Sequence, residues 1–211
     1  MRQAEAILAI GFLALLCLCL SNLRALASPG IARGKHGESV MMHENPAGDA
    51  GISAAAFTSM LPVLRHPRCM NCHSSGDFPR QGDDRHPHSM RIRRGPDGTG
   101  GNAVKCSTCH QDHNLAGPRM PPGAPGWHLP SPQEPMIWEG LTDGQLCALI
   151  LDPKQNGNRS PAQIAEHLQT PLVLWGWNPG EGRAPVPMSS GQFLMQAELW
   201  ISKGAACPQQ Q

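Results

Sequence analysis

Cys69-Met70-Asn71-Cys72-His73 and Cys106-Ser107-Thr108-Cys109-His110 are the stretches from which the rest of the chain is best read. Both have the form C-x-x-C-H. Two intervening residues put both thiols on a single helical turn, and the histidine follows at once. That spacing lets two thiols add to the two vinyl groups of one haem, with the histidine beneath the iron as proximal ligand. Other chemistries also use paired cysteines. A four-cysteine zinc site needs no histidine in either fifth place, and zinc ribbons separate their pairs by roughly 15–20 residues; here 33 residues lie between Cys72 and Cys106. A thioredoxin-like disulfide needs a βαβ context, and no alternation of strand and helix patterns flanks either motif. The implied cofactors are two covalently bound haems c. Cys69, Cys72, Cys106 and Cys109 are the attachment points, and His73 and His110 the proximal ligands.

Each iron has a sixth position, which His or Met fills in electron-transfer proteins. His66, His86, His88, Met90, His113, Met120 and His128 crowd around the motifs. His113 stands three residues after His110, on nearly the same face if the segment is helical, and from there it could reach the neighbouring haem. His88 stands 18 residues before Cys106, in a loop long enough to fold back over a haem. These positions pair His73 with His113 on the first haem and His110 with His88 on the second. Met120, in Gly117-Pro118-Arg119-Met120-Pro121-Pro122, is the alternative, because that stretch looks like the Met-ligand loop of small single-haem cytochromes c. His128 is a further candidate. A Met ligand raises the reduction potential and a second His lowers it.

Of the eight cysteines, Cys17 and Cys19 lie in an N-terminal apolar run from Ala6 to Leu20. Arg2 precedes that run and Ala25-Leu26-Ala27 follows it, which is the layout of a signal peptide cleaved after Ala27. The run is shorter than the ~20 residues of a membrane helix, although an uncleaved anchor is the rival reading. The expected mature chain is Ser28–Gln211, periplasmic and without a membrane span. Cys147 and Cys207 remain as an even pair, which in an exported protein forms a disulfide.

The composition fits a core filled by a cofactor. The chain of 211 residues has 23 Gly, 21 Pro and no Tyr; Gly and Pro normally total roughly 12%. The net charge is +1, so nucleic acid is not a favoured partner. The expected fold is mainly α with extensive irregular loops: a small cytochrome c-like domain packed around haem, with a helical C-terminal segment. Residues 28–50 have no apolar period and read as a flexible arm. Residues 51–140 form the haem-binding region. A helix is expected over Ile52–Leu64, bent or shifted near Pro62, followed by long loops. Residues 141–211 read as helical. Thr142…Gln145 and Ser160-Pro161…Gln163 are capping boxes. Ser189 or Ser190 caps a last helix that Gly204 ends.

The two motifs, with Gly82-Asp83-Asp84 between them and Met120-Pro121-Pro122-Gly123-Ala124-Pro125-Gly126-Trp127-His128 after them, resemble small bacterial dihaem c-type cytochromes. So does Leu174-Trp175-Gly176-Trp177-Asn178-Pro179-Gly180. Proteins of this kind carry the label isoquinoline 1-oxidoreductase subunit. The resemblance spans roughly residues 55–208 and implies a haem protein that accepts electrons from a partner oxidoreductase. An electron carrier is therefore the expected function, not an enzyme. The alternatives are a dihaem peroxidase-like enzyme and a haem-based sensor, each of which needs one open iron position.

Overall fold

The computed structural model describes residues 46–209. The expected signal segment and most of the expected arm lie outside the described residues. Among these residues the chain is mainly helical, with long irregular loops and a single two-stranded hairpin. Among the described residues no helix is long and apolar enough to cross a membrane.

The first helix, α1 (Pro46–Leu64), starts before the expected Ile52, so the last residues read as arm are helical. Two effects favour this start. Asp49 lies in the first turn, where a carboxylate complements the helix dipole. It also pairs with Lys203 Nζ at 2.9 Å, a long-range contact with no local signal. The helix runs through Pro62 and ends two residues later.

The C-terminal segment forms the expected helices. α3 (Asp143–Leu151) and α4 (Pro161–Leu168) open on complete capping boxes, Thr142/Gln145 and Ser160/Gln163. α6 (Ser190–Ser202) is capped by Ser189, again as a box with Gln192. Between them lie α5 (Pro171–Leu174) and a 3-10 turn over Trp175–Trp177. Each cap satisfies amide donors that a helix start leaves unpaired.

α1 and α6 pack together, with α3 and α4 beside them, around Phe57, Met60, Leu146, Phe193 and Trp200. The rings of Phe57 and Trp200 meet at 5.2 Å and 55°. The chain end is fixed to this bundle. Cys147 and Cys207 form a disulfide, as expected. Ser53 Oγ donates to the Trp200 carbonyl at 2.7 Å and accepts the Ala206 N–H at 2.8 Å.

The stretch 74–104 carries only β1 (Arg80–Gln81) paired antiparallel with β2 (His86–Pro87). Polar staples hold it instead of a core. Buried Arg94 donates to the carbonyls of Pro130, at 2.6 Å, and Gly76, at 3.3 Å. Glu139 accepts from the Ser75 N–H at 2.7 Å and pairs with Arg85. These contacts bind the stretch to the loop that carries Met136 and Trp138.

Candidate functional site

Each C-x-x-C-H motif folds as one turn. α2 (Pro67–Met70) is capped by His66, whose Nδ1 accepts the Arg68 N–H at 3.3 Å. Cys72 and His73 then donate their N–H groups to the Cys69 carbonyl, both at 3.1 Å. In the second motif a 3-10 turn spans Cys106–Thr108, and the His110 N–H reaches the Cys106 carbonyl at 2.9 Å. In both cases the histidine amide closes on the first cysteine, so both thiols and the imidazole come from one short turn.

The four cysteines are free thiols. Burial pushes the Cys69 thiol up to about 12 and Cys72 up to about 11. Cys106 is raised by the same cause. Burial thus favours the neutral thiol over the thiolate at Cys69, Cys72 and Cys106. A neutral thioether carries no such penalty.

The two histidines are held alike. His73 Nδ1 lies 3.0 Å from the Met136 carbonyl, and its ring stacks on Trp138 with centroids 3.7 Å apart and planes 4° apart. His110 Nδ1 lies 2.7 Å from the Pro122 carbonyl, and its ring stacks on Trp127 at 4.5 Å and 3°. A carbonyl only accepts, so Nδ1 carries the proton and the Nε2 lone pair is free, the tautomer a metal-binding imidazole needs. Burial, the largest cause, lowers the pKa of both rings, His73 to about 4, so both are neutral near pH 7.

Two cavities adjoin these turns. One, of about 590 Å³, is lined by Cys106, Cys109 and His110. The other, of about 340 Å³, is lined by Cys69 and His73. Cofactor pockets commonly measure about 300–1,000 Å³. Arg68, Cys72, Trp127, Leu129 and Trp175 line both. The Arg68 side chain is only 2% exposed and pairs with Asp83. Its guanidinium carbon lies 5.8 Å from the centre of the Trp175 ring. Among the described residues, Arg68 Nε and Trp138 Nε1 are buried without a hydrogen-bond partner. Buried donors of this kind call for an acceptor, and both residues line the cavities. A ligand with carboxylates, such as haem, fits them.

The candidate distal ligands separate by position. His88 lines the larger cavity, with its ring 6.2 Å from that of His110. Two imidazoles bound to one metal from opposite sides, at about 2 Å each, put their ring centres roughly 6 Å apart. Met90 lines the same cavity but is 68% exposed. His86 has both ring nitrogens engaged, by Asp84 at 2.6 Å and Gln81 at 2.9 Å. His66 serves as the cap of α2. His113 and Met120 are exposed and line neither cavity. His128 is exposed at the edge of the smaller cavity, with Nδ1 2.5 Å from the Gly126 carbonyl.

Three features escape the sequence reading. One is the Trp127 and Trp138 stacking. Its only sequence signal is an aromatic residue inside each Pro-rich loop. Another is Asn114, whose Oδ1 accepts from Trp175 Nε1 at 2.9 Å and the Gly123 N–H at 3.1 Å, while its Nδ2 donates to the Asn178 carbonyl at 2.8 Å. The last is His167 of α4, which lines the smaller cavity with His73.

Among the described residues no three His, Cys, Asp or Glu side chains converge on a point where they could hold a metal ion. No protein-family model, curated protein or solved structure matches the chain.

Proposed function

We propose that the chain is an exported dihaem c-type cytochrome that transfers electrons between periplasmic redox partners, as the electron-accepting subunit of an oxidoreductase. One observation carries the proposal: two C-x-x-C-H turns are built alike, each with its histidine Nδ1 bound to a loop carbonyl, its ring stacked on a tryptophan and a cavity beside its thiols. The cofactor, when bound, supplies a one-electron iron couple at each site.

The chain's own residues have distinct tasks. Cys69 and Cys72 hold one haem by thioether bonds, and Cys106 and Cys109 the other. His73 and His110 present Nε2 to the irons while the carbonyls of Met136 and Pro122 keep the proton on Nδ1. His88 would help His110 hold the second iron, a role supported by its spacing from His110. Its Nδ1 accepts the Met90 N–H at 3.3 Å, a long contact that yields when Nδ1 keeps the proton. Arg68, lining both cavities, balances carboxylate charge. The five lining residues that the cavities share support electron exchange between the two sites.

The test is expression in a host with a c-type maturation system, followed by intact mass and optical spectra. The expected result is a mass increment of two haems, with Cys69→Ala impairing attachment at the first site alone and Cys109→Ala at the second alone. A wild-type protein that carries no haem in that host overturns the proposal.

A further inference from the structure

We infer that His167 is the sixth ligand at the first site, opposite His73, an assignment that presupposes the two-haem proposal above. His167 lies in the last turn of α4, whose start is fixed by the Ser160/Gln163 box. Ile164, three residues earlier, shares its helix face, and Ile164, His167 and Leu168 all line the cavity that also holds Cys69, Cys72 and His73. The same wall carries apolar side chains, among them Leu172 and Phe193, beside polar ones such as Glu134 and Arg159.

The ring of His167 is half-buried. Neither ring nitrogen has a hydrogen-bond partner among the described residues. Both nitrogens are therefore free of protein partners, and a neutral imidazole with a free nitrogen in a cavity is able to bind a metal. The competing donors are placed less well. His128 is exposed. Met136 holds His73 through its own carbonyl, which fixes it on the proximal side. His113 lies on the surface outside the cavity.

The test compares wild type, His167→Ala, His128→Ala and His113→Ala as matured protein. Intact mass is read first: two haems in the wild type keep the two-haem proposal standing, and their absence defeats that proposal whatever the variants do. EPR and CO binding then decide the ligand. His167→Ala is expected to keep both haems but convert one iron of the two to a high-spin, CO-binding form. Added imidazole should return that iron to low spin, which a merely misfolded variant would not allow. His128→Ala and His113→Ala are expected to match the wild type. The assignment is overturned if His167→Ala keeps the wild-type spectrum without binding CO, or if imidazole fails to restore it. It is equally overturned if either other variant produces the high-spin iron.

Discussion

Arg68 is a cation carried almost fully into the interior, and its surroundings account for only part of that cost. Asp83 pairs with it, but that carboxylate is half-exposed and therefore well screened. The Trp175 face adds a cation–π contact. Nε is left without an acceptor. On the two-haem proposal, carboxylates from the cofactors complete the shell, and the charge acts on both irons because Arg68 lines both cavities. Reduction removes a positive charge from iron, so a nearby cation favours the reduced state. A unit charge about 10 Å away at an effective dielectric of about 20 is worth roughly 1.7 kcal/mol, or about 70 mV. Screening by Asp83 reduces this. Arg68→Met is therefore expected to lower both midpoint potentials by some tens of millivolts in a redox titration. Arg93, which is 67% exposed and paired with Asp77, serves as the control, and Arg93→Gln should leave both potentials nearly unchanged. A shift in one haem only would show that Arg68 serves a single site.

At the scale of elements, the second site depends on the contact between two loops. The segment after His110 lies directly on Gly123: a Cβ built there would stand 2.2 Å from the carbonyl oxygens of both Gln111 and His113. Backbone atoms cannot give way as a flexible side chain can, so only glycine fits. This close approach sets the neighbouring Pro122 carbonyl against His110 Nδ1, and Asn114 locks it by accepting the Gly123 N–H. Gly123→Ala is expected to destabilise the protein by about 1–3 kcal/mol, as overpacking does. It should also perturb the EPR signal of the second haem while leaving the first intact; equal perturbation of both would refute the local account. The same contrast explains what could be read from sequence. Helix starts at Thr142, Ser160 and Ser189, and both C-x-x-C-H turns, depend on residues within five positions of one another, and all were legible. The His73–Trp138 stack, the Asn114 links to Trp175 and Asn178, and the Asp49–Lys203 pair join residues 61 or more positions apart. No local pattern records them. His113 looked well placed by its spacing from His110. That spacing assumes a helix, and the chain leaves helical geometry at Cys109, so His113 falls on the surface.

Across the molecule the two sites have different walls. The smaller cavity is backed by helices, with Val63 and Leu64 of α1, Ile150 of α3, Ile164 of α4 and Phe193 of α6. The larger cavity is walled chiefly by the loops around 79–92 and 119–122. The Cys147–Cys207 disulfide ties the chain end to α3 and spans 60 residues, a loop whose closure is worth about 4 kcal/mol in the chain-entropy model. Its loss should loosen the bundle, and with it the helical wall of the first site, while the loop-walled second site is spared. For a chain of this size 4 kcal/mol corresponds to a fall in melting temperature of about 8–16 °C. A Cys147→Ala/Cys207→Ala protein is expected to show that fall, and to let CO reach the first iron sooner on warming than the second. Dithiothreitol supplies an independent control, because it reduces the disulfide and leaves thioethers whole. It should reproduce the fall in the wild type and add nothing in the double variant. Equal loss at both irons would mean that the bundle and the loops unfold as one cooperative unit, and that the helical wall gives the first site no separate dependence on the disulfide.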